Sequence, residues 1–324
     1  MAAASEKRLE HLSSQLLDRS QQTVGIEGTL GIANELLCLF GNILVITATF
    51  RNPSLRRQTY IYIISMAIND MVMAIIPMTL ACYVIIRGKW DLGDGVCELQ
   101  GYVEYMSSIG TMFLFSLISI NRFVRILHPN YYRRIYTNRF IILTIVILWV
   151  LVAGIVASFG FTAGFNFHPG FMVCTMNHDK MNLAHLVMSI VVFSVIPFEV
   201  TWYCYYKIWR FVQTHNANMN NSVINRDEIK ITRTMFLVIV SFTFCMTPFL
   251  VVTIYESVFG QYSLDRKVYF FCLGMRSMVS FINPFIYAVL NKSFRSEFVK
   301  ILHLRLTRSK ARVQVLLLSQ LKQT

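Results

Sequence analysis

Four ionisable side chains stand within stretches otherwise too apolar for water: Asp70, Glu104, Glu199 and Arg276. A charge placed in a bilayer is costly, so such residues face a protein interior or a wet cavity and mark sites that bind, relay or switch. Asp70 is the strongest functional candidate. A carboxyl group at mid-depth must be protonated or partnered, and either state can couple to a change of conformation. Glu199 comes two residues after Pro197, whose missing N–H loosens the helix there, and no role is assigned to it. Asn42, Asn69 and Asn283 add uncharged polar groups at similar depth. They read as interhelical hydrogen bonds worth about 0.6–2 kcal/mol each. Pro197, Pro248 and Pro284 interrupt the hydrogen-bond ladders of their segments and make natural bending points. No nucleophile–base arrangement and no C-x-x-C metal spacing occurs, so the chain does not read as an enzyme.

The elements that position these residues are membrane helices. Of the 324 residues, 55% are hydrophobic and 15% charged, with a mean hydropathy of +0.51. Soluble domains hold about 25% charged residues, whereas roughly 20 apolar residues cross a bilayer as a helix. Seven spans are predicted: Gly25–Phe50, Thr59–Ile86, Val96–Ile120, Phe140–Phe161, Leu183–Trp209, Ile231–Val258 and Val268–Leu290. The fold class is therefore an all-α seven-helix membrane bundle. Cys38, Cys82, Cys204, Cys245 and Cys272 lie in the apolar runs and read as small core residues.

With the amino terminus outside, 21 of the 30 lysines and arginines fall on the cytoplasmic side, including Arg51, Arg56, Arg57, Arg133 and Arg134. Eight fall outside, and Arg276 is intramembrane. That bias predicts amino terminus out and carboxyl terminus in, at the plasma membrane. It also explains the net charge of +13 without nucleic acid, because the basic residues cluster between apolar segments. The first 20 residues lack an apolar core and show no cleavable signal, so the first span would also serve for export. After the last span, Phe294, Phe298, Ile301 and Leu302 recur on one helical face among Lys292, Arg295, Lys300 and Arg305. This predicts an amphipathic helix on the inner leaflet lipid. The expected organisation is an extracellular tail over 1–24, the bundle over 25–290, the amphipathic helix over 291–303 and a cytoplasmic tail over 304–324. No cysteine follows Cys272 to carry palmitate, and the sequons at Asn220 and Asn291 face inward. A transporter or channel relaying charge through Asp70, Glu104 and Arg276 is the alternative, although no internal repeat supports duplicated halves.

The motifs resemble those of class A, rhodopsin-like G-protein-coupled receptors. They are Gly41-Asn42, Met66-Ala67-Ile68-Asn69-Asp70, Asn121-Arg122-Phe123, Trp149, Pro197 with Tyr205, Phe242 with Cys245-Met246-Thr247-Pro248, and Asn283-Pro284-Phe285-Ile286-Tyr287. They cover about Gly31 to Phe298 in the family's order. Asn121-Arg122-Phe123 and Arg134-Ile135-Tyr136 are faintly similar to melatonin-type receptors. The resemblance implies a receptor that turns binding of an extracellular ligand, a small molecule or short peptide, into activation of a heterotrimeric G protein. It also implies a disulfide between Cys97 and Cys174, permitted on the oxidising outer face and worth about 4–5 kcal/mol by chain entropy.

By the same resemblance, Arg122 is the arginine that meets the G protein. The acid expected beside it is replaced by Asn121, while Glu228 matches the cross-helix acid that restrains it. Opening that lock swings the sixth span outward and exposes a groove for the Gα carboxyl-terminal helix. Tyr205 and Tyr287 would then support the open state. Met112, Pro197 and Phe242 match the relay under the pocket, with Met246 in place of the usual tryptophan. Asp70, Thr111, Ser280 and Asn283 resemble an inner sodium site, but Val279 replaces an expected asparagine. Retinal is excluded in its conventional role, because Ser277 stands where opsins carry their lysine. The implied ligand pocket holds Glu104, Tyr105, Ser108, Ser189, Phe249, Thr253, Leu273 and Arg276. Glu104 stands where amine receptors carry an acid, and either it awaits a cationic ligand, or it pairs with Arg276, or it does neither.

Overall fold

The computed structural model describes residues 2–55, 58–177, 187–188, 190–216 and 226–303. Helix α1 (Ala2–Leu17) is followed by the long α2 (Gln21–Arg51), whose first turn is capped by Ser20 accepting from the Thr23 N–H at 3.2 Å. The second span is α3 (Gln58–Met73), a π-turn at Ala74–Met78 and α4 (Thr79–Arg87). The π-turn contains Pro77, and its wider hydrogen-bond pattern absorbs a residue with no N–H to give. Then come α5 (Asp94–Leu127), the short α6 (Pro129–Ile135) and α7 (Asn138–Ala163). A hairpin of β1 (Phe165–His168) and β2 (Val173–Met176) pairs antiparallel, with Phe167 opposite Cys174. A second π-turn (Val191–Val195) leads into α8 (Ile196–Asn216), followed by α9 (Arg226–Phe259), α10 (Arg266–Leu290) and α11 over 292–303.

Among the described residues, six helical segments are long and apolar enough to cross a membrane: Gln21–Arg51, Gln58–Arg87, Asp94–Leu127, Asn138–Ala163, Glu228–Phe259 and Arg266–Leu290. They coincide with six of the expected spans and run a few residues beyond each. The fifth expected span, Leu183–Trp209, corresponds to the segment that ends in α8, and its first residues lie outside the described ones.

Burial follows the bilayer logic. In α7 only a narrow stripe faces the protein (Ile141, Leu148, Val152, Val156, Ala163), while Val150, Leu151 and Phe161 point outward. Such a helix suits lipid on one side and a bundle on the other. Helices approach closely where side chains are small. A methyl on Gly41 of α2 would lie 2.9 Å from the Pro284 ring of α10, so the two backbones meet at the bend of the last span. Phe294, Phe298 and Ile301 of α11 are buried, and Phe294 stacks on Tyr287 at 5.3 Å, whereas Leu302 faces out.

Candidate functional site

Working inward from the outer face, the first layer is a lid. Cys97 and Cys174 form the expected disulfide, with Cα atoms 5.4 Å apart, and fasten β2 to the start of α5. Gln100 accepts from the Cys174 N–H at 2.9 Å, and Glu98 accepts from the Phe165 N–H at 3.2 Å. The hairpin turn then reaches toward α10. The His168 Nδ1 accepts from the Phe171 N–H at 3.2 Å, so its proton sits on Nε2, which faces Glu256 at 3.3 Å. Glu256 also accepts from the Tyr269 hydroxyl and the Tyr262 N–H.

Helix α1 completes the lid, an element the sequence reading treated as tail. Leu12 and Leu16 are 1% exposed and pack with Ala81, Val84, Phe171, Met172 and Leu273. Polar ties hold it as well. Arg8 donates to the Phe259 carbonyl at 2.9 Å, and Gln15 accepts from the Arg266 N–H at 3.1 Å. Arg19 and Arg266 converge on buried Glu27, at 2.6 Å and 2.8 Å. The available signal was the spacing of Leu9, Leu12 and Leu16 at i, i+3 and i+7.

Below the lid lies a cavity of about 500 Å³ between α5, α8 and α9. Of the expected pocket residues, Tyr105, Ser108, Phe249, Thr253 and Arg276 line it. Leu273 packs into the cluster under α1 instead, because its side chain points up the α10 face toward Leu12 and Tyr269. Ser189 lies outside the described residues. The cavity floor and walls are aromatic, from Phe159, Phe193, Phe198 and Phe242. Glu104 is buried and ion-paired with Arg276, whose guanidinium also stacks over the Phe249 ring at 4.8 Å. Of the three arrangements open in the sequence, the side chains adopt the internal pair.

One helical turn further in, a small cavity of about 20 Å³ is lined by Asp70, Thr111, Ser280, Val279 and Arg276 among others. Asn283 donates to Asp70 at 3.3 Å, Asn69 donates to Thr111 at 2.9 Å, and Asn42 donates to the Ser280 carbonyl at 2.9 Å. The space holds about one water-sized particle. Of the residues expected at the inner sodium site, Asp70, Thr111 and Ser280 line this space. Asp70 is its one carboxylate, Thr111 already bonds Ser107 and Asn69, Val279 offers no oxygen, and the Arg276 cation shares the cavity. Among the described residues no cluster of three or more His, Cys, Asp or Glu side chains assembles.

Beneath it, Phe242 of α9 packs edge-on against Phe115 of α5, with ring centres 4.8 Å apart. Ser116 of α5 donates to the carbonyl of Pro197 at 2.8 Å, so the bend in the fifth span is tied to the third. At the inner mouth Arg122 is 1% exposed and donates to Glu228 at 2.9 Å. Arg125, one turn on, donates to the other oxygen of the same carboxylate at 2.8 Å and to the Tyr132 hydroxyl at 3.3 Å. Glu228 thus bridges two arginines, a clamp of which the sequence reading found only half. Asn121, in the place of the usual acid, accepts from Thr59 at 3.0 Å and donates to Tyr132 at 3.2 Å. It joins α3, α5 and α6 rather than restraining Arg122. Tyr205 and Tyr287 are buried nearby, with their rings against Phe236 and Phe294.

Residues 41–287 match the family described as 7 transmembrane receptor (rhodopsin family). The chain is 30% identical to the zebrafish (Danio rerio) melatonin receptor type 1B-B over 292 residues, covering 88% of this chain and 83% of that receptor. It is 28% identical to the chicken (Gallus gallus) melatonin receptor type 1A, covering 84% and 79% of the two chains. The family match disfavours the transporter alternative and accounts for a buried arginine held at the inner mouth beneath a lidded cavity. The chain belongs to the rhodopsin family of seven-transmembrane receptors, which pass the binding of an extracellular ligand to a G protein.

Proposed function

We propose that the cavity between α5, α8 and α9 is the ligand site, and that its occupation releases Arg122 from Glu228 to meet the Gα carboxyl-terminal helix. The Arg122–Glu228 bond across α5 and α9 is the observation that carries this reading. A buried ion pair of that kind holds the inner ends of the two helices together, and parting it leaves a cation that a partner must accept. Phe242 stands between the cavity and the clamp on the same helix as Glu228, with Pro248 above it as the bend. A ligand that pushes on Phe242 or Met246 tilts α9 about that proline. Tyr205 and Tyr287 are close enough to move onto the freed arginine, while Asn283 and Pro284 let α10 follow. The intact Arg122–Glu228 bond supports reading this conformation as the resting one.

A cavity of this size and lining suits a small aromatic molecule with few polar groups. Melatonin, for which the relatives are named, belongs to that class and is the first compound to test. The Glu104–Arg276 pair walls the cavity, and a ligand with its own charge must reorganise it. The amino terminus is placed outside, which the lysine and arginine distribution and the disulfide support, and α11 rests against the inner leaflet. The test is nucleotide exchange on Gα in membranes carrying wild type or Arg122→Ala. Exchange that rises with ligand in wild type and is lost in the variant supports the reading. Equal exchange in both sinks it.

A further inference from the structure

Asp70 and Glu199 are the intramembrane carboxyl groups outside the clamp and the pocket pair, and of the two Glu199 has no hydrogen-bond partner among the described residues. It lines the cavity from α8, on the side where α8 and α9 part. Three observations give it a role.

First, the cavity has an exposed flank. On its outer side Met176 of the hairpin lines it, and Phe171 packs on Phe249. At the α8–α9 seam, by contrast, Val195 is 45% exposed, Leu250 39% and Ile254 45%, and all three also line the cavity. These side chains belong to membrane-spanning helices, so the opening faces bilayer rather than water.

Second, the charges do not balance. Arg276 is the only basic side chain lining the cavity among the described residues, and Glu104 neutralises it. Glu199 has no ion-pair or hydrogen-bond partner among the described residues. Glu199 is itself exposed at the edge of the cavity, and among the described residues it is the lining carboxylate without a counter-charge, so its complement is a single positive charge.

Third, hydroxyls accompany the carboxylate. Ser194 and Thr247 line the same seam, and Thr247 spends its proton on the Thr243 carbonyl at 2.7 Å, leaving its oxygen lone pairs free to accept. An ammonium group has three donors and no acceptor, so it suits a carboxylate flanked by hydroxyl oxygens. The rest of the lining is apolar and aromatic.

We propose that Glu199, with Ser194 and Thr247, holds the ammonium group of a bilayer-partitioned amphiphilic monoamine whose apolar body fills the cavity. This rests on the cavity being the ligand site. The cation stabilises a carboxylate that would otherwise be costly at that depth, and the lipid-side opening admits a molecule already dissolved in the membrane.

The experiment measures binding of radiolabelled dodecylamine to purified receptor in phosphatidylcholine nanodiscs, with dodecanol and the water-soluble phenethylamine in parallel. Saturable dodecylamine binding is expected in wild type, weakened about 10- to 100-fold by Glu199→Gln, as for loss of a charge-assisted hydrogen bond. Glu199→Asp should retain most of it, which shows that the protein remains folded. Thr247→Trp should abolish it by filling the seam while leaving the carboxylate in place, and dodecanol should not distinguish wild type from Glu199→Gln. Equal amine affinity in wild type and Glu199→Gln overturns the proposal. So does amine binding that survives Thr247→Trp, or phenethylamine bound as tightly as dodecylamine. Arg122→Ala should keep saturable amine binding that still depends on Glu199. Exchange that depends on Arg122 together with absent amine binding would sink the Glu199 site and leave the receptor mechanism standing.

Discussion

The two mouths of the bundle are closed by opposite means. The outer one is closed many times over, by a disulfide, an apolar cluster around Leu12 and Leu16, and two arginines on Glu27. The inner one hangs on a single carboxylate, Glu228, held by Arg122 and Arg125. Redundant contacts fix a geometry because no single loss releases it. A lone carboxylate shared by two cations is easily traded for another partner. On the proposed reading, the fold concentrates rigidity at the ligand end and bistability at the signalling end, as a transducer with a fixed pocket and a moving output requires.

The comparison can be broken at either mouth, and the largest effect is expected outside. Cys97→Ser should cost about 4–5 kcal/mol of folded-state stability by the loop-entropy model, seen as a sharp fall in surface yield and in Tm of the purified receptor. An unchanged Tm would mean the lid does not depend on its covalent tie. Next, Glu104→Ala or Arg276→Ala should each cost about 3–5 kcal/mol by stranding a buried charge, while the double exchange Glu104→Arg with Arg276→Glu recovers part of it. Single variants as stable as wild type would show that the pair is not desolvated. Leu16→Ala should cost about 2–4 kcal/mol, read as a drop in Tm and faster hydrogen exchange across α1.

At the inner mouth the effect is on activity more than on stability. Glu228→Gln should raise ligand-independent nucleotide exchange about tenfold, since it weakens both arginine contacts. Arg125→Ala should raise it only about two- to threefold, because that side chain is 22% exposed against 1% for Arg122 and its contact is better screened. Equal effects from the two would mean that Arg122 is not the principal restraint. The smallest change is expected at Asp91 in the first outer loop, where the Tyr83 hydroxyl donates at 2.6 Å and holds the carboxyl below its usual range. A carboxyl group depressed in the folded state stabilises above its ordinary pKa, and that contribution is lost as the pH falls through the depressed value. Asp91→Ala should therefore lower Tm slightly at neutral pH and leave it unchanged at strongly acid pH. A deficit that persists in acid would assign the effect to packing.

The bundle was legible in the sequence because apolar run length and the charges between the runs follow directly from bilayer thickness. The Arg122–Glu228 bond was legible through family resemblance. Arg125 was not, since an arginine one turn beyond the motif reads equally well as one more inner-face cation. The Glu104–Arg276 pair stayed open because two charges on different helices have no sequence signature of contact. Helix α1 was missed for a different reason. Leu9, Leu12 and Leu16 on one face are too few to bury each other, and the partners of Leu12 and Leu16 on α4, α10 and the hairpin come together only once the bundle has formed. Leu273 was misplaced by one helical face, an error that position-matching cannot detect.

The burial of Leu12 and Leu16 bears on how the receptor is detected. A serum raised against a synthetic peptide of residues 2–17 meets those leucines in the open, whereas on intact cells they are turned into the protein. With the amino terminus outside, as proposed, such a reagent should stain a denaturing blot strongly and living cells weakly, so faint live staining would report a seated helix rather than a poorly expressed receptor.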